Sequence, residues 1–312
     1  MVRLSVIVPT RDRAAFLYDC LHSLTRQTIS ASAFEVIVVN NGSVDETPDV
    51  VQRFSSELPL RCIGAPAPGL HVGRHAGLRA AASDILVFAD DDIVASPRWL
   101  ESIDSAFCDN EVALVGGNNR PIFESPPPDW LMRWWEFPSK LGRSLPLLSI
   151  LDLGEGEFDI DTRLVWGCNF SVRRVLLEEA GGFHPDGMPH EMRRFRGDGE
   201  TAVAEAIAQK GLRARFHSGA SVFHRVPAER MCVEYFERRS LAQGISDSFT
   251  DLRRHGGKRS GRAAIARNGK GQVESLLAGL RLAAVRIPRF IATIQDIEKD
   301  AHAQDSAGAC PA

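Results

Sequence analysis

The stretch Ile85-Leu86-Val87-Phe88-Ala89-Asp90-Asp91-Asp92 decides the fold of this chain. An apolar run without glycine or proline leads directly into three consecutive aspartates. Such a short run predicts a strand that is buried on both faces, as in a parallel sheet. The aspartates would then lie at the carboxyl end of the strand, where open α/β sheets bind their ligands.

The three adjacent aspartates also predict a cation. Their charges repel one another by up to about a few kcal/mol when they are partly desolvated. Mg2+ and Mn2+ prefer oxygen ligands and commonly pair with phosphates, so a metal site is the interpretation that we favour. The alternative is a solvated acidic turn that caps the following helix.

Further strands are predicted on both sides of this stretch. Residues 4–8, 36–39, 60–63 and 112–115 are apolar runs of strand length. Patterns of helical periodicity, about ten to fifteen residues long, lie between several of them, which predicts a doubly wound, mostly parallel sheet of the α/β class. The turn at 9–13 contains no glycine, which disfavours the usual dinucleotide-binding fold.

Length and composition exclude several classes of protein. The 312 residues suffice for one large domain or two small ones, and 44% hydrophobic with 25% charged residues is ordinary for a globular chain. No apolar run approaches the roughly 18 residues of a membrane span. The chain enters a strand at once, so we expect no signal peptide and a cytoplasmic location. The six cysteines form no Cys-x-x-Cys pair and are expected to be reduced thiols.

The character of the chain changes after residue 119. Residues 121–128 are rich in proline and predict an extended loop. Trp130, Trp134 and Trp135 follow closely. Such a cluster forms either a local core or an apolar wall that receives an acceptor or a membrane surface, and we favour the acceptor wall.

The C-terminal quarter is basic. Residues 225–290 carry 14 Lys/Arg and 6 Asp/Glu, although the whole chain has a net charge of −3. This balance predicts a polyanionic partner, although a solvated helical face explains it equally well. We expect helices here, a basic linker at 255–271 and a flexible tail, with peripheral membrane contact or a homodimer as open possibilities. Nucleic acid is not expected as a partner, because the body is acidic and its aromatic residues are clustered.

Six ordered pieces of the sequence resemble the inverting glycosyltransferases of family 2, which have the GT-A fold. The pieces are residues 5–13, 38–47, 73–77, 88–92, 166–170 and 197–200. The resemblance implies a GT-A domain over residues 1–224, with a nucleotide-binding half at 1–117 and an acceptor-binding half at 118–224. Residues 225–312 would form a helical C-terminal extension.

The resemblance also implies a site for a nucleoside diphosphate sugar. Asn41 stands where the family often has Asp, and an amide can both donate to and accept from uracil. A UDP-sugar is therefore favoured as the donor. The implied donor-binding residues are Pro9, Thr10, Arg11 and Asn41 around the base, Arg74 at the base or phosphates, Asp90 at the ribose with Asp91 beside it, and Gly167 and Asn169 along the sugar.

The metal ligands and the catalytic base are implied in the same way. Asp92 would bind Mg2+ or Mn2+, and His224 stands where some relatives supply another ligand. Asp198 or Glu200 would be the base that deprotonates the acceptor. The family's acidic pair is adjacent, and counting back from Gly211 places Glu200 on its second member, so we favour Glu200. A metal neutralises the leaving diphosphate, and inversion needs no nucleophilic residue.

The leading hypothesis is a metal-dependent inverting glycosyltransferase with an unidentified acceptor. A nucleotidyltransferase of related fold usually carries a glycine-rich basic loop after its first strand, which is missing here. A non-catalytic scaffold that binds sugar nucleotides would tolerate loss of the base, but Asp198 and Glu200 are both present.

Overall fold

The computed structural model describes residues 2–65, 67, 69–137, 142–187 and 196–254. The strands are β1 (Leu4–Thr10), β2 (Phe34–Asn40), β3 (Leu60–Gly64), β4 (Ile85–Ala89), β5 (Ile93–Ala95), β6 (Val112–Gly116), β7 (Asn119–Phe123), β8 (Arg143–Leu145), β9 (Ile150–Asp152), β10 (Glu157–Ile160), β11 (Asn169–Arg173), β12 (Arg213–His217) and β13 (Val222–Val226). The helices are α1 (Ala14–Leu24), α2 (Thr47–Phe54), α3 (Leu70–Ala80), α4 (Trp99–Ala106), α5 (Asp129–Glu136), α6 (Arg174–Glu179), α7 (Thr201–Gln209) and α8 (Val233–Arg254).

The larger sheet has the order β10-β12-β6-β11-β4-β1-β2-β3. Strands β3, β2, β1 and β4 are parallel neighbours, so their carboxyl ends lie at one edge of the sheet. Strand β11 runs antiparallel between β4 and β6, which makes the sheet mixed. The prediction of a doubly wound α/β sheet is therefore confirmed, with β11 antiparallel at its centre and β10 antiparallel to β12 at its edge.

Both faces of this sheet are buried, which explains the unbroken apolar runs of its strands. Alternate residues of β1 belong to opposite cores, with Val6 and Val8 on one face and Ile7 on the other. Residues of α1, α2 and α4 complete the first core, and residues of α3, α6 and α7 complete the second. Helices on both faces are the defining property of a doubly wound sheet.

Two glycines hold α3 close to β1. A Cβ atom on Gly77 would lie 2.2 Å from Ile7 Cγ2, and one on Gly73 would lie 2.8 Å from Pro9 Cβ. No larger residue fits at either position without displacing the helix. This close packing fixes the place of Arg74, which lies between the two glycines at the same edge as the strand ends.

A smaller sheet has the order β5-β13-β7-β9-β8. Its strand β5 follows the three aspartates directly, and β13 pairs with it in antiparallel register, so that His224 lies opposite Ile93. The backbone N–H of Arg225 also donates to the carbonyl of Asp92 over 2.9 Å. This pairing brings a distant part of the chain to the end of β4.

Within the described residues, those of 1–122 and 140–225 form one compact unit, and those of 123–139 and 226–312 form a second. In the second unit Trp130 and Trp135 are buried, and the rings of Trp130 and Trp134 lie 5.3 and 5.6 Å from the ring of Phe236 on α8. The tryptophan cluster is thus largely a local core, and the acceptor wall that we favoured is not what these contacts describe. The predicted linker at 255–271 and the tail lie outside the described residues. Among the residues that are described, no helix is long and apolar enough to cross a bilayer.

Candidate active site

The candidate site lies at the edge of the sheet where β1, β2 and β4 end. Thr10 is the last residue of β1, and Asn41 follows β2 directly and donates its backbone N–H to the Thr10 carbonyl over 2.9 Å. Asp91 and Asp92, which follow β4, are both buried. The placement of the aspartates at the carboxyl end of a buried strand agrees with the prediction from sequence.

Arg13 connects two of the three aspartates. Its Nε lies 3.0 Å from Asp91 Oδ1, and its Nη2 donates to Asp92 Oδ2 over 2.7 Å. The Thr10 hydroxyl donates to the other oxygen of Asp91 over 2.7 Å. The guanidinium lies over the ring of Phe16, with 4.5 Å from Cζ to the ring centroid.

Arg74 connects the third aspartate to the opposite side of the site. This buried guanidinium donates through Nη2 to Asp90 Oδ1 over 3.0 Å and to the Gly167 carbonyl over 2.8 Å. Its Nη1 lies 3.8 Å from Glu200 Oε2. Burial opposes the charge, but Asp90 and Glu200 outweigh it and raise the pKa of Arg74.

The protein itself therefore supplies cations to the aspartate triplet. We expected a metal ion to relieve the mutual repulsion of these carboxylates, whereas Arg13 and Arg74 already lie against them. Burial raises the pKa of Asp91 to about 7, against the lowering effect of Arg13. Arg13 and Thr10 lie against both oxygens of Asp91, whereas Arg13 contacts Oδ2 of Asp92 and a histidine, His224, lies beside Oδ1. Asp92 is therefore the better candidate for a metal ligand.

Asp92 and His224 fit a divalent ion. His224 Nε2 lies 3.3 Å from Asp92 Oδ1, and both side chains are buried. Ligands at about 2.1 Å in octahedral geometry lie about 3 Å apart in cis positions, close to this spacing. Among the described residues no group of three or more His, Cys, Asp or Glu side chains could hold a metal. A site with few protein ligands is usual for Mg2+, which keeps several of its waters.

Glu200 faces the site from the residue that precedes α7. Its Oε1 accepts the backbone N–H of Gly167 over 3.0 Å, and 25% of its side chain is exposed. Burial raises the pKa of Glu200, while Arg74 acts in the opposite direction. A carboxylate of raised pKa that still reaches solvent has the properties of a general base.

Asp198 lies in a different environment. Its side chain is 1% exposed, and its Oδ1 lies 2.5 Å from His184 Nδ1. The backbone of the same turn is tied down as well, because the His184 N–H donates to the Gly199 carbonyl over 3.1 Å. Asp198 thus orients His184 and the turn before Glu200, and Glu200 stays our prediction for the base.

The other residues implied for the donor site divide into three kinds. The amide of Asn169 is engaged with the protein: Oδ1 accepts from Trp99 Nε1 over 2.9 Å, and Nδ2 donates to Asn119 Oδ1 and to the Ala220 carbonyl. Asn41 Oδ1 is buried and accepts no hydrogen bond. Pro9, Thr10, Arg74, Asp90, Asp91 and Gly167 lie around the strand ends, and the side chain of Arg11 is half exposed beside them.

Sequence reasoning missed Arg13 and His184. Arg13 belongs to the turn that carried the resemblance, but no spacing rule links it to carboxylates 79 residues away. The unbalanced charge of the aspartates was the available indication, since it called for a cation of some kind. His184 gave no comparable indication.

Comparison with known proteins identifies the family to which this architecture corresponds. The sequence profile described as glycosyl transferase family 2 matches residues 5–181. A validoxylamine A glucosyltransferase from Streptomyces hygroscopicus subsp. jinggangensis is 29% identical over 199 residues, which cover 59% of this chain and 47% of that protein. The chain thus spans about half the length of this curated relative.

Two solved structures share the fold. The mannosyltransferase PcManGT from Pyrobaculum calidifontis, in complex with GDP-Man and Mn2+, superposes with a TM-score of 0.56 at 19% identity, covering 95% of this chain and 80% of that one. S. aureus TarS 1-349 in complex with UDP-GlcNAc gives a TM-score of 0.52 at 16% identity, with coverages of 92% and 83%. These likenesses confirm the expected GT-A architecture.

Proposed function

Because the chain belongs to glycosyl transferase family 2, we propose that it transfers a sugar from a nucleoside diphosphate donor to an acceptor hydroxyl, with inversion at the anomeric carbon. A UDP-sugar is the favoured donor, and it would bind together with Mg2+ or Mn2+. Residues 1–224 carry this activity, with the nucleotide at 1–117 and the acceptor at 118–224.

The position of Arg74 is the observation that carries this proposal. One buried guanidinium contacts Asp90 at the nucleotide side and lies 3.8 Å from Glu200 at the opposite side. A donor bound beside Asp90 would therefore present its sugar towards Glu200. A positive group at this point also stabilises the negative charge that develops on a leaving diphosphate.

Glu200 acts as the general base. As the acceptor oxygen attacks the anomeric carbon, the bond to the diphosphate breaks and the acceptor proton passes to a Glu200 carboxylate oxygen. Attack from the face opposite the leaving group inverts the centre in one step. The hydrogen bond from the Gly167 backbone holds Oε1 of Glu200, and Oε2, which lies 3.8 Å from Arg74 Nη1, receives the proton.

Asp92 and His224 would hold the divalent ion. Such an ion supplies charge neutralisation to the diphosphate, in the way that Lewis acids assist phosphate leaving groups. A PcManGT structure in complex with Mn2+ supports this assignment at the level of a shared fold. Asp90 would contact the ribose, while Gly167 borders the sugar.

Asn41 would recognise the base. Its buried Oδ1 accepts no hydrogen bond from the protein, and a buried acceptor without a donor costs free energy. The N3–H of uracil satisfies such an acceptor, and so does the N1–H of guanine. The N3 of cytosine carries no hydrogen and cannot donate to Oδ1. It could pair with Asn41 only if the side-chain amide were rotated so that Nδ2 donates instead.

The test is a ligand screen followed by a transfer assay. UDP, GDP and CDP are compared for their effect on thermal unfolding, with and without Mn2+. A donor nucleotide at a hundredfold excess over its Kd should stabilise the protein by about 2.7 kcal/mol. Release of nucleoside diphosphate from UDP-sugars then measures turnover, with Glu200→Gln as a control that binds but does not react.

Two outcomes would contradict the proposal. Formation of a nucleoside diphosphate sugar from a nucleoside triphosphate and a sugar phosphate would identify a nucleotidyltransferase. Tight binding of sugar nucleotides without turnover, equal in the wild type and in Glu200→Gln, would identify a binding scaffold.

A further inference from the structure

We infer that Arg13 is a resident counter-cation of the metal site, which makes the binding of a divalent ion depend on the nucleotide. This inference rests on the proposed function, because it concerns the ion that would accompany the donor. The role of Arg13 is not indicated by the sequence motifs, and it is to weaken the binding of a metal ion to Asp92 until the nucleotide is present.

Arg13 contacts the carboxylates of both Asp91 and Asp92. Nη2 donates to Asp92 Oδ2 over 2.7 Å, and Nε lies 3.0 Å from Asp91 Oδ1. The guanidinium thus lies against both carboxylates at once. Phe16 supports its face, with the ring centroid 4.5 Å from Cζ.

This arrangement differs from a surface ion pair. The side chains of Asp91 and Asp92 are 6% and 4% exposed and that of Arg13 is 31% exposed, whereas the pair Arg98 and Glu101 has values of 67% and 48%. Exposed pairs contribute little because water screens them. Charges that face buried carboxylates are screened much less, so Arg13 strongly changes the potential at Asp92.

A metal ion has to share Asp92 with this guanidinium. Arg13 holds Oδ2, while Oδ1 is the atom that lies 3.3 Å from His224 Nε2. The ion can therefore take one oxygen of Asp92 together with the imidazole, in a field that Arg13 makes less negative. The diphosphate restores the negative charge when it binds. The metal and the nucleotide should consequently bind with strong positive coupling, and each should bind weakly alone.

The experiment measures Mn2+ binding directly, by electron paramagnetic resonance at pH 8 and constant ionic strength, without any sugar donor. Wild type, Arg13→Gln and the control Arg98→Gln are titrated with Mn2+ alone, and then with Mn2+ in the presence of UDP or GDP. Removal of the positive charge that contacts Asp92 should lower the Kd for Mn2+ alone by roughly tenfold to a hundredfold. Arg98→Gln should behave as the wild type.

The same titrations can overturn the inference. An Mn2+ affinity of Arg13→Gln that equals or falls below that of the wild type would show that Arg13 is only structural. If Arg13→Gln does not fold, Arg13→Lys and the wild type decide the question. Both proteins should bind Mn2+ at least about tenfold more tightly with nucleotide than without it. Binding of Mn2+ alone that is as tight as binding with nucleotide would refute the inference. Failure of UDP and GDP to bind at all contradicts the proposed function instead, since the comparison with Mn2+ alone does not need them.

Discussion

The backbone N–H of Gly167 donates to Glu200 Oε1 over 3.0 Å, while Arg74 Nη1 lies 3.8 Å from Oε2 of the same carboxylate. The carbonyl of the same glycine accepts from Arg74 Nη2 over 2.8 Å. Gly167 thus sets the spacing between the base and the guanidinium.

Glu200→Gln should lower the rate of transfer by about 10²- to 10⁴-fold, the usual cost of removing a general base. The glutamine keeps an oxygen for the Gly167 N–H, so folding and donor binding should be retained. Single-turnover transfer at saturating donor measures the change. Asp198→Asn is the matched variant, and it should impair stability more than rate, because Asp198 is buried against His184. The reverse pattern would make Asp198 the base.

As the pH is lowered, the rate of transfer should begin to fall at a higher pH than it would if the base were a glutamate of ordinary pKa. Burial raises the pKa of Glu200, so in the folded protein this carboxyl keeps its proton to a higher pH. Because a base must be deprotonated, kcat should rise as pH increases through the raised pKa. A profile of kcat against pH measures this limb, which should lie above the ordinary value of about 4.3. Any residual activity of Glu200→Gln should lack this acid limb. If the limb persists in Glu200→Gln, a group other than Glu200 is the one that titrates.

Gly167→Ala should reduce transfer much more than it reduces stability. A Cβ atom there would lie 2.6 Å from Arg74 Nη2, so the guanidinium must move away from Asp90 or Glu200. Gly116→Ala is the matched control, since the three atoms nearest to its Cβ would all belong to the side chain of Val165, the first at 3.2 Å. We expect kcat/KM to fall at least about tenfold in Gly167→Ala, which corresponds to about 1.4 kcal/mol. Equal effects of the two substitutions on kcat/KM would show that Arg74 tolerates displacement.

Asp92→Asn should abolish the Mn2+ dependence of nucleoside diphosphate binding. His224→Ala should weaken Mn2+ binding by at least the roughly tenfold to hundredfold that loss of an outer partner costs. Calorimetric titration with UDP in the presence and absence of Mn2+ measures both effects. His22→Ala, which removes an exposed histidine of α1, is the control. Unchanged affinity and metal dependence in Asp92→Asn would refute the metal site.

Asn169→Ala should lower the free energy of unfolding by roughly 2–4 kcal/mol, because it leaves buried partners without their hydrogen bonds. Those partners are Trp99 Nε1, Asn119 Oδ1 and the Ala220 carbonyl. Urea unfolding measures the loss. An unchanged midpoint together with a raised KM for the donor would instead show that Asn169 contacts the sugar, as the family resemblance implies.

The strand pattern predicted the site's location because parallel strands end at one edge of a sheet. Thr10 ends β1, Asn41 follows β2, Asp91 is the second residue after β4, and all three lie at that edge. Periodicity alone indicates burial but not strand direction, so it could not predict that β11 runs antiparallel between β4 and β6. For the same reason, periodicity could not predict that β5 pairs with β13.

Long side chains were the hardest part to predict. Arg13 and Arg74 reach their carboxylates across the fold, and their partners depend on tertiary packing that no local pattern records. The position of His224 came from the family resemblance, because the residue itself gave no indication of its partner. The tryptophan cluster was ambiguous for a related reason: burial depends on α8, about a hundred residues later in the chain.

The amide of Asn169 also bears on how the protein is made. It joins residues 99, 119 and 220 at a single point, and these segments leave the ribosome at well-separated times. The parallel strands up to β4 can pair early, but this junction cannot close before residue 220 has been synthesised. A nascent chain stopped before that residue should therefore have strands β1 to β4 paired, while the segment around Asn169 stays open to proteases. Release of such chains from stalled ribosomes, followed by brief proteolysis, would locate the length at which this segment becomes protected.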